Sequence, residues 1–330
     1  MYFPLRKETF FRLILLISFL GCYTVASQGD PSTICPPEDL ISPCTCIKNC
    51  LLCPAQVKCS NILHHDELLG VFEKSEDWTF WNLYIENSVF MYIPSDFIVQ
   101  KRIRYLYLRD NIMTSLFDKP PPPTNVLVEL ELTNLTLRTG VKWEVFSSLH
   151  KMKELNLTNF IIPKIDQTFL RYFPQGLTGL YLTSSKTKQL TSDSFSKLTE
   201  LTRLFVKNTE IKEIQRSMFP PDSQLLAMSF SGSQISTLPD DIFTNMPDLK
   251  SIYFSRTNIV TLKESVFGQI FPNISVLHME GNAIDCNCQM KWLTKQTKFP
   301  MYLEVTCTKP KAVEGLSISE LRPSHFAHCE

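Results

Sequence analysis

Nine copies of one hydrophobic phrase recur along this chain at intervals of 23 to 25 residues. The phrase reads L-x-x-L-x-L-x-x-(N/S/T), with Ile, Val, Met or Phe standing in for Leu. Its copies begin at Phe80, Ile103, Leu127, Met152, Leu177, Leu201, Leu225, Leu249 and Ile274. A fixed period of this length restricts the fold to a solenoid. One repeat cannot bury its apolar face alone, and only stacked neighbours make a continuous core. Positions 1, 4, 6 and 9 are predicted to point inward. In the sixth copy these are Leu201, Leu204, Val206 and Thr209, and in the eighth Leu249, Ile252, Phe254 and Thr257. The alternation over positions 3 to 7 is the period-2 pattern of a strand buried on one face.

The phrase and its period are those of the leucine-rich repeat. The predicted fold is an α/β solenoid, a leucine-rich-repeat horseshoe of nine repeats with disulfide-stapled caps. Its strands form a parallel sheet on the concave face, about 4.8 Å apart. The other side of each repeat carries a ring, Phe97, Phe169, Phe195, Phe219, Phe243 or Phe267. These are predicted to stack as a spine under the convex face, in preference to lining a ligand tunnel. Position nine ordinarily holds an Asn whose amide serves turn backbone groups. Here only Asn111 and Asn282 keep it, and Ser88, Ser185, Thr209, Ser233 and Thr257 offer hydroxyls instead. Leu135 and Phe160 offer nothing, so the ladder is expected to be weakest at repeats three and four. Lys119-Pro120-Pro121-Pro122-Pro123 reads as a stiff connector on the convex side.

The ends differ from the middle. Arg6, Lys7 and Arg12, the apolar run Leu13 to Gly21, and Val25-Ala26-Ser27 read as a secretory signal peptide over residues 1–27. No later segment approaches the roughly 20 apolar residues of a membrane-spanning helix, and no lipid-anchor signal is expected at Cys329-Glu330. Of 11 Cys, Cys22 leaves with the leader, and ten remain in two clusters outside the repeats. Even counts at both ends of a secreted chain read as disulfide-stapled caps. The C-x-x-C of Cys50 and Cys53 has a spacing that also suits zinc or redox chemistry, but an oxidising compartment favours a structural bridge. The expected organisation is a cap over 28–79, repeats over 80–282 and a second cap over 283–330. Asp66 to Lys74 is predicted to be helical over the first repeat.

The stretch Leu277 to Cys329 resembles the cysteine-rich C-terminal cap of extracellular leucine-rich-repeat proteins, through Asn282, Cys286, Cys288, Trp292-Leu293, Cys307 and Cys329. That resemblance implies Cys286–Cys307 and Cys288–Cys329. At the other end stand Cys35-Pro36, Asp39-Leu40, Pro43-Cys44-Thr45-Cys46, Cys59-Ser60, Glu67-Leu68 and Val71-Phe72. They resemble the opening of arthropod secreted proteins related to the non-catalytic subunit of Oplophorus-luciferin 2-monooxygenase. The resemblance implies a secreted binding protein, with Cys35–Cys46 and Cys44–Cys59 by the usual cap pairing. Cys50–Cys53 would then be an additional local bridge.

Function is sought on the concave face. The chain has no G-x-S-x-G, no H-E-x-x-H and no phosphate loop, so no enzyme, cofactor or metal site is expected. His64-His65 reads as a solvated cap loop. Lys and Arg balance Asp and Glu at 33 each, which favours neither nucleic acid nor membrane insertion. Position 5 runs Tyr84, Tyr107, Glu131, Asn156, Tyr181, Phe205, Ser229, Tyr253 and His278. Large rings ordered at low entropic cost suit recognition; cross-strand stacking accounts for the same column without a ligand. The candidate partner-binding residues are Tyr84, Tyr105, Tyr107 and Arg109 in one group, and Tyr181, Arg203, Phe205, Lys207 and Tyr253 in another. A protein ligand is the first reading. An accessory, non-catalytic subunit of a secreted oxidative enzyme and a carbohydrate-binding module are the alternatives. Sequons at Asn134, Asn156 and Asn273 are candidate glycosylation sites. A glycan on Asn156 would divide the concave column into two halves.

Overall fold

The computed structural model describes residues 35–48 and 55–329. The leader at 1–27 and the Cys50–Cys53 bridge lie outside them. Each copy of the phrase contributes one strand: Asn82–Glu86, Tyr105–Arg109, Glu129–Thr133, Glu154–Thr158, Gly179–Thr183, Arg203–Lys207, Ala227–Ser229, Ser251–Tyr253 and Val276–His278. Leu83, Leu106, Leu130, Leu155, Leu180, Leu204, Ile252 and Leu277 at position 4 are fully buried, and position 6 follows them inward. The nine strands pair in parallel, each position facing its equivalent in the next repeat. The fold is therefore a leucine-rich-repeat solenoid with the sheet on its concave side.

The sheet does not stop at the repeats. It has twelve strands. Gln56–Ser60 runs parallel to the first repeat strand and is covered by an antiparallel partner, Thr45–Ile47. Tyr302–Glu304 extends the other end. Cap strands thus extend the sheet past the repeats at both ends, as the ends of a solenoid core need. Cys35–Cys46 and Cys44–Cys59 staple the first cap, and Cys286–Cys307 and Cys288–Cys329 the second. The helix expected from Asp66 to Lys74 runs from His65 to Lys74 and buries Leu68, Val71 and Phe72. Phe72 lies 4.9 Å from Phe97, so the cap helix opens the ring spine. The Lys101 side chain is fully buried beneath it, donating to the Ser75 carbonyl with its ammonium 5.3 Å from the Phe80 ring centre.

His65 departs from the solvated loop the sequence suggests. It begins the cap helix and turns its ring edge-on to Tyr92 at 4.6 Å. Both ring nitrogens are buried without partners, and burial lowers its pKa.

On the convex side Phe195 and Phe219 lie 5.9 Å apart and Phe243 and Phe267 5.6 Å apart. Phe146 and Phe173 continue the spine at 5.2 Å; the side chain of Phe169 is outside the described set. Loss of one such ring costs about 3–5 kcal/mol through lost burial and the remaining cavity.

The chain leaves every repeat strand through a residue in the left-handed region. Position eight has φ between 50° and 76° at Asn87, Asp110, Asn134, Asn159, Ser184, Asn208, Gly232, Arg256 and Gly281. Asn, Asp and Gly tolerate this conformation best. At Gly232 a Cβ would also collide with the Asn208 side chain.

The turn ladder is uneven. Asn111 accepts from the Ser88 amide at 2.9 Å and donates to the Ile85 carbonyl at 2.8 Å. Asn282 accepts from the Thr257 amide at 2.6 Å and donates to Phe254 at 2.8 Å. At repeats three and four, where position nine is apolar, the exposed position-eight side chains bond to one another instead. Asn134 donates to Asp110 at 2.8 Å and accepts from Asn159. Hydroxyls without partners are added at repeats six and seven, where those of Thr209 and Ser233 are buried. A hydroxyl serves only where a group of the neighbouring turn comes within its short reach, as the Ile62 amide does for Ser88 at 3.0 Å. In hydrogen exchange, the Ser88 and Thr257 amides, each held by an Asn side chain, should be protected longer than that of Thr209, with Ser233, which donates to the Phe230 carbonyl at 3.3 Å, in between. Equal protection at all four would show that position nine does not set turn stability.

Candidate functional site

Positions 3, 5 and 7 of every strand face the concavity, because Cβ directions alternate along a strand. All nine candidate partner-binding residues stand there, but as two groups. In the first, Tyr84 and Tyr107 are paired in register and stack at 4.4 Å with 8° between their planes. Tyr105 precedes them at position 3 of the same strand as Tyr107, with the Arg104 guanidinium 6.0 Å from its ring. Arg109 turns along the strand end and pairs with Glu131 at 2.7 Å. In the second, Tyr181 and Phe205 stack at 5.3 Å and 17°. Phe205 reaches Tyr253 at 6.0 Å across the small Ser229. Arg203 donates to the Tyr181 hydroxyl at 2.8 Å, and the Lys207 ammonium lies 4.8 Å from the Phe205 ring centre. Burial pushes the Tyr181 phenol up to about 12 and lowers the Lys207 ammonium below its ordinary value.

Between the groups lies a saddle of carboxylates that the column at position 5 does not reveal. Glu129 and Glu154 occupy position 3 of adjacent strands and face each other directly. Like charges in that relation repel. Glu154 is answered from two strands away by Arg203, which reaches it over Gly179. A Cβ on Gly179 would collide with the Glu154 carboxylate, so only glycine leaves the passage open. A second bridge crosses the same repeat near Gly176, from Lys153 to Glu200 at 3.0 Å. Glu129 has no guanidinium of its own. Burial, then the Glu154 charge, push its carboxyl up to about 7, against the opposing hydrogen bond from Tyr107. Read in register, position 3 runs Asn82, Tyr105, Glu129, Glu154, Gly179, Arg203. That row is the signal that finds the saddle.

The sequons take different surroundings. Asn156 is half-buried between Glu131 and Tyr181 in the column, its carbonyl oxygen 3.1 Å from the Thr158 hydroxyl. Asn134 is exposed but engaged through both ends of its amide in the position-eight chain, and Asn273 is exposed at the start of the ninth repeat.

No family model matches the chain, and no curated protein matches its sequence. The cap's resemblance to luciferase-associated subunits therefore rests on its motif residues alone. Among solved structures, the chain is similar to one in the octameric complex of Latrophilin 3, Unc5D and FLRT2, in which FLRT2 is the leucine-rich-repeat part. The identity is 18% over 75% of this chain and 82% of that one, with a TM-score of 0.55. It is also similar to an internalin of Listeria monocytogenes at 22% identity, covering 69% of this chain and 61% of that one, with a TM-score of 0.50. At such identities the likeness is one of fold, and it places the chain in the leucine-rich-repeat class. No helix among the described residues is long and apolar enough to cross a membrane.

The Glu129 carboxyl has a measurable consequence. Its folded pKa lies above its unfolded value of 4.5. Its stabilising contribution is therefore complete below about pH 4.5 and is lost as the pH rises through about 7. Glu129→Gln should be more stable than the native chain at pH 8, by about 1–2 kcal/mol after allowance for solvent screening. The gain should disappear near pH 4.5. Urea denaturation at the two pH values reads this directly, and a pH-independent difference would exclude titration of Glu129 as its source.

Proposed function

We propose that this chain is a secreted, non-enzymatic leucine-rich-repeat protein that binds a protein partner through its concave face. The observation that carries the reading is the pre-stacked set of half-exposed rings, Tyr181, Phe205 and Tyr253, with Arg203 and Lys207 fixed beside it. Rings held by their neighbours lose little entropy when a partner arrives, which is how recognition surfaces gain affinity. Tyr84, Tyr105, Tyr107 and Arg109 form a second patch on the same face. Its two stacked tyrosines occupy each other's faces and leave edges toward the groove. That geometry favours a protein surface over a sugar ring, which needs an open aromatic face. The four disulfides among the described residues fit an oxidising, extracellular compartment.

The cap motif residues support a narrower version, in which the partner is the catalytic subunit of a secreted oxidative enzyme. Crosslinking mass spectrometry on native secretion separates the two. A single enzyme chain recovered at fixed stoichiometry supports the narrower version, and a receptor or matrix protein the broader one. Against the partner so found, Phe205→Ala and Tyr253→Ala should each weaken binding by more than about 1 kcal/mol. Unchanged affinity in both variants and in Tyr107→Ala would remove the concave face as the site. Mass spectrometry of the Asn156 glycopeptide sets the extent of the interface. With a glycan there, loss of the Tyr84–Tyr107 patch should leave binding to the Phe205 patch intact.

A further inference from the structure

At the C-terminal end of the concave column three side chains converge that the binding face does not use. His278 is position 5 of the ninth strand, Glu280 follows two residues later, and Glu304 lies opposite His278 on the last strand of the sheet. His278 Nε2 contacts a Glu304 carboxylate oxygen and lies 3.6 Å from one of Glu280. One ligand atom from each residue falls within 4.8 Å of the others.

The other side of the ring has a partner that can hold the metal-binding tautomer. His278 Nδ1 is 3.0 Å from the Ser255 hydroxyl. That hydroxyl also lies 3.3 Å from the His278 carbonyl, to which it can donate its own proton. In the tautomer with hydrogen on Nδ1, the hydroxyl then accepts from the ring. In the neutral ring the Nε2 lone pair then faces two carboxylates. In that tautomer three acceptors meet, and a proton or a metal cation must stand among them. A ring proton on Nε2 serves only one carboxylate, whereas a metal ion takes a donor from all three.

We propose that His278, Glu280 and Glu304 form a binding site for a divalent transition-metal ion of the zinc class. One imidazole nitrogen and two carboxylate oxygens suit zinc, and a hydroxyl on the distal ring nitrogen is placed to accept from it in the metal-binding tautomer, as outer-shell partners do. The carboxylate side chains are 66% and 51% exposed, so an ion enters from solvent and keeps an open position toward the concavity. The ring edge rests against Tyr253 at 6.1 Å, which places the ion at the end of the aromatic column. The other cluster of this kind, Cys288, His328 and Cys329, does not compete, because its two sulfurs are joined to each other in a disulfide.

Calorimetric titration of the disulfide-intact chain with zinc chloride tests the site. About one equivalent should bind with micromolar-range affinity, and magnesium at least a hundredfold more weakly, since imidazole selects the softer ion. His278→Ala and the Glu280→Gln/Glu304→Gln double variant should each lose at least tenfold in affinity. Ser255→Ala should lose about tenfold with its circular dichroism unchanged. Should His278→Ala fail to fold, the double variant, altered only at exposed carboxylates, still decides. Absence of zinc binding at millimolar concentration, or affinity undiminished in the double variant, overturns the proposal.

Discussion

The structure rests on apolar residues at positions 1, 4 and 6 that are covered only by the same positions of the neighbouring repeats. Leu201, Leu204 and Val206 have no core of their own; they complete the one begun by Leu177, Leu180 and Leu182 and are completed by Leu225, Met228 and Phe230. Covering them in this way brings the strands into parallel register. That register sets the spacing of everything on the concave face. Adjacent strands lie about 4.7–4.9 Å apart, close to the distance at which aromatic rings stack. The 4.4 Å between Tyr84 and Tyr107 is thus a consequence of the core behind them.

The period made the solenoid legible before any coordinates, and the two-residue alternation of each strand made the concave column legible with it. Where reading stopped has physical reasons. Position eight adopts the left-handed region for Arg256 and Ser184 as well as for Asn and Gly. The side-chain preference that marks the turn is diluted there by what the fold imposes. The hydroxyls of Thr209 and Ser233 look interchangeable with that of Thr257 in a sequence. Whether a short hydroxyl reaches a partner depends on the neighbouring turn, and Thr257 has Asn282 while the others have nothing equivalent. The saddle was hidden because its key residue is Gly179, whose contribution is the absence of a side chain.

The concave face also carries an internal charge balance. Three carboxylates, Glu129, Glu131 and Glu154, meet two guanidiniums, Arg109 and Arg203. The two that pair hold the aromatic groups in place from either side. The third carboxyl relieves the imbalance by holding its proton into the neutral range. Rigid rings flanking a polar, titrating middle give a face whose two ends can recognise different parts of one partner.

A solenoid is ordinarily a one-dimensional chain of nearest neighbours, each repeat sensing only the two beside it. Gly179 of repeat five breaks that rule. Over it Glu154 of repeat four joins Arg203 of repeat six, so that the two are linked past the repeat between them. Ser229 allows the same leap from Phe205 to Tyr253. The stretch from repeat four to repeat eight is therefore laced by second-neighbour struts, which make it a cooperative block inside an otherwise modular array.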